Sequence, residues 1–309
     1  MKIKNYFRTI LIALALITGF SAATMAQYGN LVSMRTTGTS LTIKAEWTGS
    51  GSFTVQNSNL SVNHPLQNGV NTTITVTPGT YRIVGTSTLA HITLLDVNNN
   101  NLDDISLTGC VYLKYLYCRN NSIPSLDVSN CPALLDITCD NNKLTSLNIS
   151  VCTALRLLEC WGNKLTELNI DNYTALYYLD CGYNELTELN VWGCTALKEL
   201  YCENNKLTSL TVSNKTSLEQ LHCSDNKLTQ LIAYGCTNLN KLNCRNNNLH
   251  YLDIGRCTSL TDLIAHDQYI SVPRQGLSDF PNPISYTLKS GSKEDILIDR
   301  KSTRLNSSH

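Results

Sequence analysis

The clearest pattern in the chain is a spacing of hydrophobic positions. From Ile92 onward, Leu recurs every 21 residues at Leu113, Leu134, Leu155, Leu176, Leu197, Leu218, Leu239 and Leu260. A small apolar residue keeps step with it, at Cys118, Cys139, Cys160, Cys181, Cys202, Cys223 and Cys244. One polar residue does the same: Asn100, Asn121, Asn142, Asn163, Asn184, Asn205, Asn226 and Asn247. The unit is L-x-x-L-x-C-x-x-N-x-L-T-x-L-x-[VI]-x-x-C-x-x. A fixed period of this length means a stacked repeat, because one unit cannot bury its apolar face alone and a column of units can.

The unit fits the leucine-rich repeat pattern and predicts a β-rich solenoid with little helix. The segment L-x-x-L-x-C is expected to be a short strand with Leu and Cys pointing inward. Successive strands would then stack about 4.8 Å apart as a parallel sheet on the concave side. The Asn stands where the chain leaves the strand, and its amide can satisfy turn N–H and C=O groups. A 21-residue coil leaves little room for a helix, so the second half is expected to be extended or turn.

The flanks read differently. Residues 1–26 have the form of a signal peptide: the basic Lys2, Lys4 and Arg8, an apolar stretch from Ile10 to Phe20, and then the small residues Thr24 and Ala26 before Gln27. Residues 27–90 alternate in LTIKAEW (41–47), SFTVQ (52–56), TTITVTP (72–78) and TYRIVG (80–85), and predict a β-rich N-terminal cap. The solenoid is expected over residues 91–270, in about eight coils. Residues 271–298, with Pro273, Pro281 and Pro283, are expected to form a C-terminal cap or the start of a truncated β module. Residues 299–309, DRKSTRLNSSH, read as the translation of a common sequencing adapter, so the native gene is expected to continue past Ile298.

Composition narrows the classes of function. Lys+Arg and Asp+Glu are both 24, and charged residues are 16% of the chain. A nucleic-acid binder would carry a basic excess, so no nucleic-acid partner is expected. No apolar run after the N-terminus is long enough to span a bilayer, so an integral membrane protein is not expected. The 13 cysteines suggest disulfides at first sight. The seven in strand register would stack with parallel side chains, poorly aimed for a disulfide, and read as a ladder of packed free thiols. The other six are Cys110, Cys131, Cys152, Cys194, Cys236 and Cys257, in a series interrupted by Tyr173 and Lys215. A position that accepts Tyr and Lys is expected at a turn and partly exposed. No C-x-x-C pair exists, and the spacing fits neither a metal site nor a redox motif, so no cofactor or metal is expected.

Residues 157–170 (LLECWGNKLTELNI) and 200–212 (LYCENNKLTSLTV) resemble the bacterial secreted leucine-rich repeat proteins of the internalin class, in their cysteine-ladder form with 21-residue repeats. The resemblance covers about Ile92 to Ile270. It departs from the pattern at Ala233 and Ala265, and register loosens after Leu263. It implies a secreted or cell-surface protein used for protein–protein contact or adhesion, and no catalytic residues.

The variable positions of the strands form two columns. One runs Leu94, Tyr115, Asp136, Leu157, Tyr178, Glu199, Gln220, Lys241 and Asp262; the other runs Asp96, Tyr117, Thr138, Glu159, Asp180, Tyr201, His222, Asn243 and Ile264. Just beyond the strand lie Arg119, Trp161, Tyr183 and Glu203. The candidate ligand-binding set is Tyr115, Tyr117, Asp136, Glu159, Trp161, Tyr178, Asp180, Tyr183, Glu199 and Tyr201. Aromatic residues on a preformed surface suit interface hot spots, and the acids suggest a partner with positive charge. A protein partner is the leading expectation and a carbohydrate the alternative. A further alternative is a targeting module for a catalytic domain beyond Ile298. Glu159 and Asp180 on neighbouring rungs would suit a glycosidase pair in spacing. Stacked carboxylates arise easily in repeats, however, and no nucleophile, phosphate loop or zinc motif accompanies them, so the chain is read as a non-enzyme.

Overall fold

The computed structural model describes residues 32–57, 63–85 and 91–265, with the backbone of 285–287. The expected signal peptide, the terminal eleven residues and nearly all of 271–298 lie outside the described residues. The chain divides into two compact units, Met1–Ala154 and Leu155–His309. No described residue is helical.

The first unit opens with β1 (Val32–Thr36), β2 (Ser40–Thr48), β3 (Phe53–Asn57), β4 (Asn63–Pro65), β5 (Thr72–Thr75) and β6 (Gly79–Gly85). These pair antiparallel, and β8 (Leu102–Ser106) joins β1 at the edge of the sheet β4-β3-β6-β1-β8. The alternation read from the sequence places Leu41, Ile43 and Ala45 of β2 inside, together with Phe53 and Val55 of β3. β2 also runs antiparallel to β7 (His91–Asp96), the first strand of the repeats. Asn100 fastens this junction. Its Oδ1 accepts from Thr42 N at 2.6 Å and its Nδ2 donates to Thr42 O at 2.6 Å, as a neighbouring strand would.

The coils follow. In the first unit β7, β9 (Tyr115–Tyr117) and β11 (Asp136–Thr138) pair in parallel, while β10 (Leu126–Asp127) and β12 (Leu147–Asn148) pair on the other side of the coil. In the second unit β13 (Leu157–Glu159), β14 (Tyr178–Asp180), β15 (Glu199–Tyr201), β17 (Gln220–His222), β19 (Lys241–Asn243) and β21 (Asp262–Ile264) pair in parallel. Opposite them run β16 (Ser209–Thr211), β18 (Gln230–Ile232) and β20 (Tyr251–Asp253). The backbone of β22 (Ser285–Thr287) pairs with β21. This is the leucine-rich repeat solenoid that the period predicts, extended on both sides of the coil.

Each coil is closed by its asparagine. Asn184 is typical: Oδ1 accepts Leu165 N at 2.9 Å, and Nδ2 lies within hydrogen-bond distance of Cys160 O (3.0 Å), Cys181 O (3.1 Å) and Gly182 O (3.1 Å). Asn142, Asn205, Asn226 and Asn247 repeat this set on their own coils. An amide carries both donor and acceptor, so one side chain can satisfy groups that burial would otherwise leave unpaired.

All thirteen cysteines are free and buried. The strand series is buried as expected. The turn series departs from expectation: Cys110, Cys131, Cys152, Cys194, Cys236 and Cys257 are all 0% exposed, and Tyr173 and Lys215 are buried too. The reason is that the turn aims this side chain inward, where its polar end meets carbonyls of the preceding coil. Cys236 Sγ donates to Val212 O at 3.0 Å and Cys257 Sγ to Ala233 O at 3.1 Å. Lys215 makes the same contact with an ammonium, donating to Cys194 O at 3.0 Å and Trp192 O at 3.2 Å from a buried side chain. Ala233 and Ala265 occupy their buried positions as smaller fillers, and strand register holds through Ile264.

Candidate recognition surface

A three-residue strand shows one side chain inward and two outward. The central residue, Leu in most of the short parallel strands and Ile137 in β11, is buried, and the outer two side chains are half-buried. The columns read from the sequence are the actual register. In the first unit Leu94, Tyr115 and Asp136 align, as do Asp96, Tyr117 and Thr138. In the second unit Leu157, Tyr178, Glu199, Gln220, Lys241 and Asp262 align, beside Glu159, Asp180, Tyr201, His222, Asn243 and Ile264.

The first unit therefore brings together Tyr115, Tyr117 and Asp136. Burial raises the Tyr117 phenol, and Asp136 adds to the effect. The remaining candidates belong to the second unit and form two adjoining groups.

One group is a row of rings. Tyr178 and Tyr201 have centroids 5.6 Å apart, and His222 stacks on Tyr201 at 4.8 Å. The Tyr201 hydroxyl donates to Glu199 Oε2 at 2.9 Å, which fixes the ring. Burial and then Glu199 push that phenol up to about 12. Burial, followed by Lys241, lowers His222, whose Nε2 is buried without a hydrogen-bond partner.

The other group gathers on Gly182. Asp180 Oδ1 accepts Gly182 N at 3.1 Å. A Cβ on Gly182 would lie 3.0 Å from Trp161 Cδ1 and 3.2 Å from the Glu203 carboxyl carbon, so the indole and the carboxyl close over the glycine from the two neighbouring coils. Tyr183 packs on Trp161 with centroids 4.9 Å apart. Glu159 pairs in register with Asp180. Burial, then the negative charges of Glu203 and Glu159, push the Asp180 carboxyl up to about 7 against the opposing Gly182 N–H. Burial also raises Glu203, and its Oε2 is sealed from solvent with no hydrogen-bond partner.

Tyr183 holds an unusual backbone. The residue after the Trp161 column has positive φ in coil after coil, at Asn99, Asn120, Asn141, Gly162, Asn204, Asp225 and Asn246. These types suit the left-handed region. Tyr183, at φ 51°, is the bulky member of the series, and it is 49% exposed. Elsewhere the column bonds to itself, as Asn141 Nδ2 to Asn120 Oδ1 at 2.9 Å and Asn246 Nδ2 to Asp225 Oδ1 at 2.7 Å.

Gly182, Glu203 and His222 complete these groups and were absent from the candidate set. Glu203 and Gly182 share the Trp161 column, so the 21-residue register contained the signal. No group of metal-ligating side chains occurs among the described residues, and no helix among them is long and apolar enough to cross a membrane.

Comparison with known proteins agrees with this architecture. No protein-family model matches the chain, and no curated protein is significantly similar to it. Among solved structures it is similar to the leucine-rich repeat domain of APL1B, with 21% identity over 60% of this chain and 58% of that one, TM-score 0.51. It is also similar to the functional domain of InlJ from Listeria monocytogenes, described as including a cysteine ladder, with 23% identity over 70% of this chain and 65% of that one, TM-score 0.33. A third is YopM from Yersinia enterocolitica, with 27% identity over 55% of this chain and 36% of that one, TM-score 0.45. The chain thus spans from about a third to just under two thirds of these proteins' lengths. The fold is that of a leucine-rich repeat protein. Its 21-residue coils carry a ladder of buried free cysteines in strand register.

Proposed function

We propose that the protein is a secreted or cell-surface recognition module that binds a protein partner, in adhesion or a related surface contact. Its binding residues are Tyr115, Tyr117 and Asp136 on the strand face of the first unit and Glu159, Trp161, Tyr178, Asp180, Tyr183, Glu199 and Tyr201 on that of the second, and the chain has no catalytic role. One observation carries this reading. Half-buried rings and carboxylates stand in register over a layer of fully buried Leu and Cys, so the strand face is held rigid beneath variable side chains. Rigid aromatics lose little entropy on binding and anchor interfaces well.

The test is the double variant Trp161→Ala/Tyr178→Ala. For a purified partner, affinity is expected to fall by about tenfold or more, with circular dichroism unchanged. Equal affinity in the variant removes the reading. A glycan array run beside the protein screen distinguishes the carbohydrate alternative, which a saturable saccharide ligand would establish instead.

A further inference from the structure

The candidate surface contains a polar atom that its own fold leaves unsatisfied. Glu203 Oε2 is buried without a partner, beside a second carboxyl, Asp180, that reaches the same glycine. Buried acceptors are ordinarily paired, and a carboxylate that lacks a donor costs more than a neutral group would. None of the ion pairs formed among the described residues involves Asp180 or Glu203. The wall of the same spot is aromatic: Trp161 and the Glu203 carboxyl both approach Gly182, and Tyr183 packs on Trp161. Carboxylates short of donors beside the face of an indole suit one chemistry, a cation that also presents N–H groups.

We propose that Trp161, Asp180, Gly182, Tyr183 and Glu203 form a subsite for a single guanidinium or ammonium side chain of a basic protein partner. The proposal rests on the strand face being the binding face and names what that face selects. Gly182 has a defined part in it. A Cβ there would lie 3.0 Å from Trp161 Cδ1 and 3.2 Å from the Glu203 carboxyl, so one of the two would have to give by a few tenths of an ångström, and glycine lets both stay close. Tyr183 has another. Its left-handed backbone, which Asn or Gly would adopt more easily, sets a ring against Trp161. A planar guanidinium stacked on the indole would offer its edge to both carboxyls. Entry requires the sealed Glu203 oxygen to turn outward, a rotation about the last side-chain bond, which is a soft torsion.

The experiment uses the whole chain and small probes of fixed chemistry. The indole N–H resonance of Trp161, assigned with Trp161→Phe, is followed as N-acetyl-arginine amide is added, and separately N-acetyl-citrulline amide, its uncharged isostere. A saturable shift with the arginine probe is expected, about tenfold weaker in Glu203→Gln and in Asp180→Asn, with no saturation for citrulline. Equal responses to the two probes, or arginine binding unchanged in both variants, overturns the subsite. If the arginine probe binds as stated while Trp161→Ala/Tyr178→Ala leaves partner affinity unaltered, the binding face fails and with it the assignment of the cation to a protein partner, and only a site for a free guanidinium is left. If partner affinity falls in that variant while the arginine probe never saturates, the face stands and the subsite fails.

Discussion

Tyr183 lies against Trp161, with ring centroids 4.9 Å apart and planes inclined at 56°. It does so from a left-handed backbone position that asparagine, aspartate or glycine fills in the neighbouring coils. The ring contact and the backbone conformation oppose each other, and that opposition can be measured. Tyr183→Ala removes the ring and keeps the backbone cost, whereas Tyr183→Asn removes both. Tyr183→Asn is expected to be more stable than Tyr183→Ala by about 1 kcal/mol. Both variants are expected to bind partner less tightly. Urea denaturation of the pair decides the stability, and equal midpoints would show that the position carries no strain.

Asp180 makes the stability depend on pH. Its carboxyl is raised to about 7 in the folded chain, above its ordinary value, so the folded state holds the proton more tightly than the unfolded one. Stability contributed by the protonated form is present at acid pH and is lost as pH rises toward and through 7. Asp180→Asn keeps an oxygen for Gly182 N and cannot ionise. The variant is expected to match the native chain near pH 4 and to exceed it at pH 8 by on the order of 1–3 kcal/mol. Denaturation curves at the two pH values check this, and an advantage that is greater at pH 4 would reverse the assignment.

The coil asparagines use both halves of a neutral amide, and substitutions can remove the halves separately. Asn184→Ala leaves Leu165 N without its acceptor and Cys160 O and Cys181 O without their donor, a loss of about 2–4 kcal/mol. Asn184→Asp keeps the acceptor but turns a carboxylate toward carbonyl oxygens. At pH 7 it is expected to cost at least as much as Asn184→Ala, and less once acid protonates it. The chemical denaturation midpoint of each variant at pH 4.5 and 7 is the measurement. An aspartate tolerated at neutral pH would mean that the donor side of the amide matters little.

Burial also protects the thiols. It pushes Cys118 and Cys131 up to about 12 and Cys194 and Cys236 up to about 11, so very little thiolate exists at pH 8. A thiol reagent such as dithionitrobenzoate is expected to titrate almost none of the thirteen in the folded chain and all of them in urea. Rapid reaction of the turn series in the folded chain would show that those turns open.

The repeat register was legible because its period is longer than any local rule. Strand positions, the inward Leu and Cys, the amide turn and both outer columns follow once Asn121 and Asn142 are aligned. What a position does at a turn was less legible. Cys194 and Lys215 suggest exposure by their variety, yet both are buried, because the turn places a donor beside carbonyls and either a thiol or an ammonium can serve there. The groups around Gly182 required packing distances between coils. Spacing puts Trp161, Gly182 and Glu203 in one column, but only geometry shows two of them closing over the third.

The asparagine bonds have a direction. Asn184 completes the coil before its own, accepting from Leu165 and donating to Cys160, and Asn205 does the same for Leu186 and Cys181. Each course is therefore finished by the one laid on top of it. Duplicating or deleting a complete 21-residue course preserves every such bond and moves the aromatic columns by one strand spacing. An insertion of any other length leaves an amide reaching for the wrong neighbour. The array is thus free to change in whole steps, and a lineage could retune the distance between its binding groups by counting courses rather than by altering them.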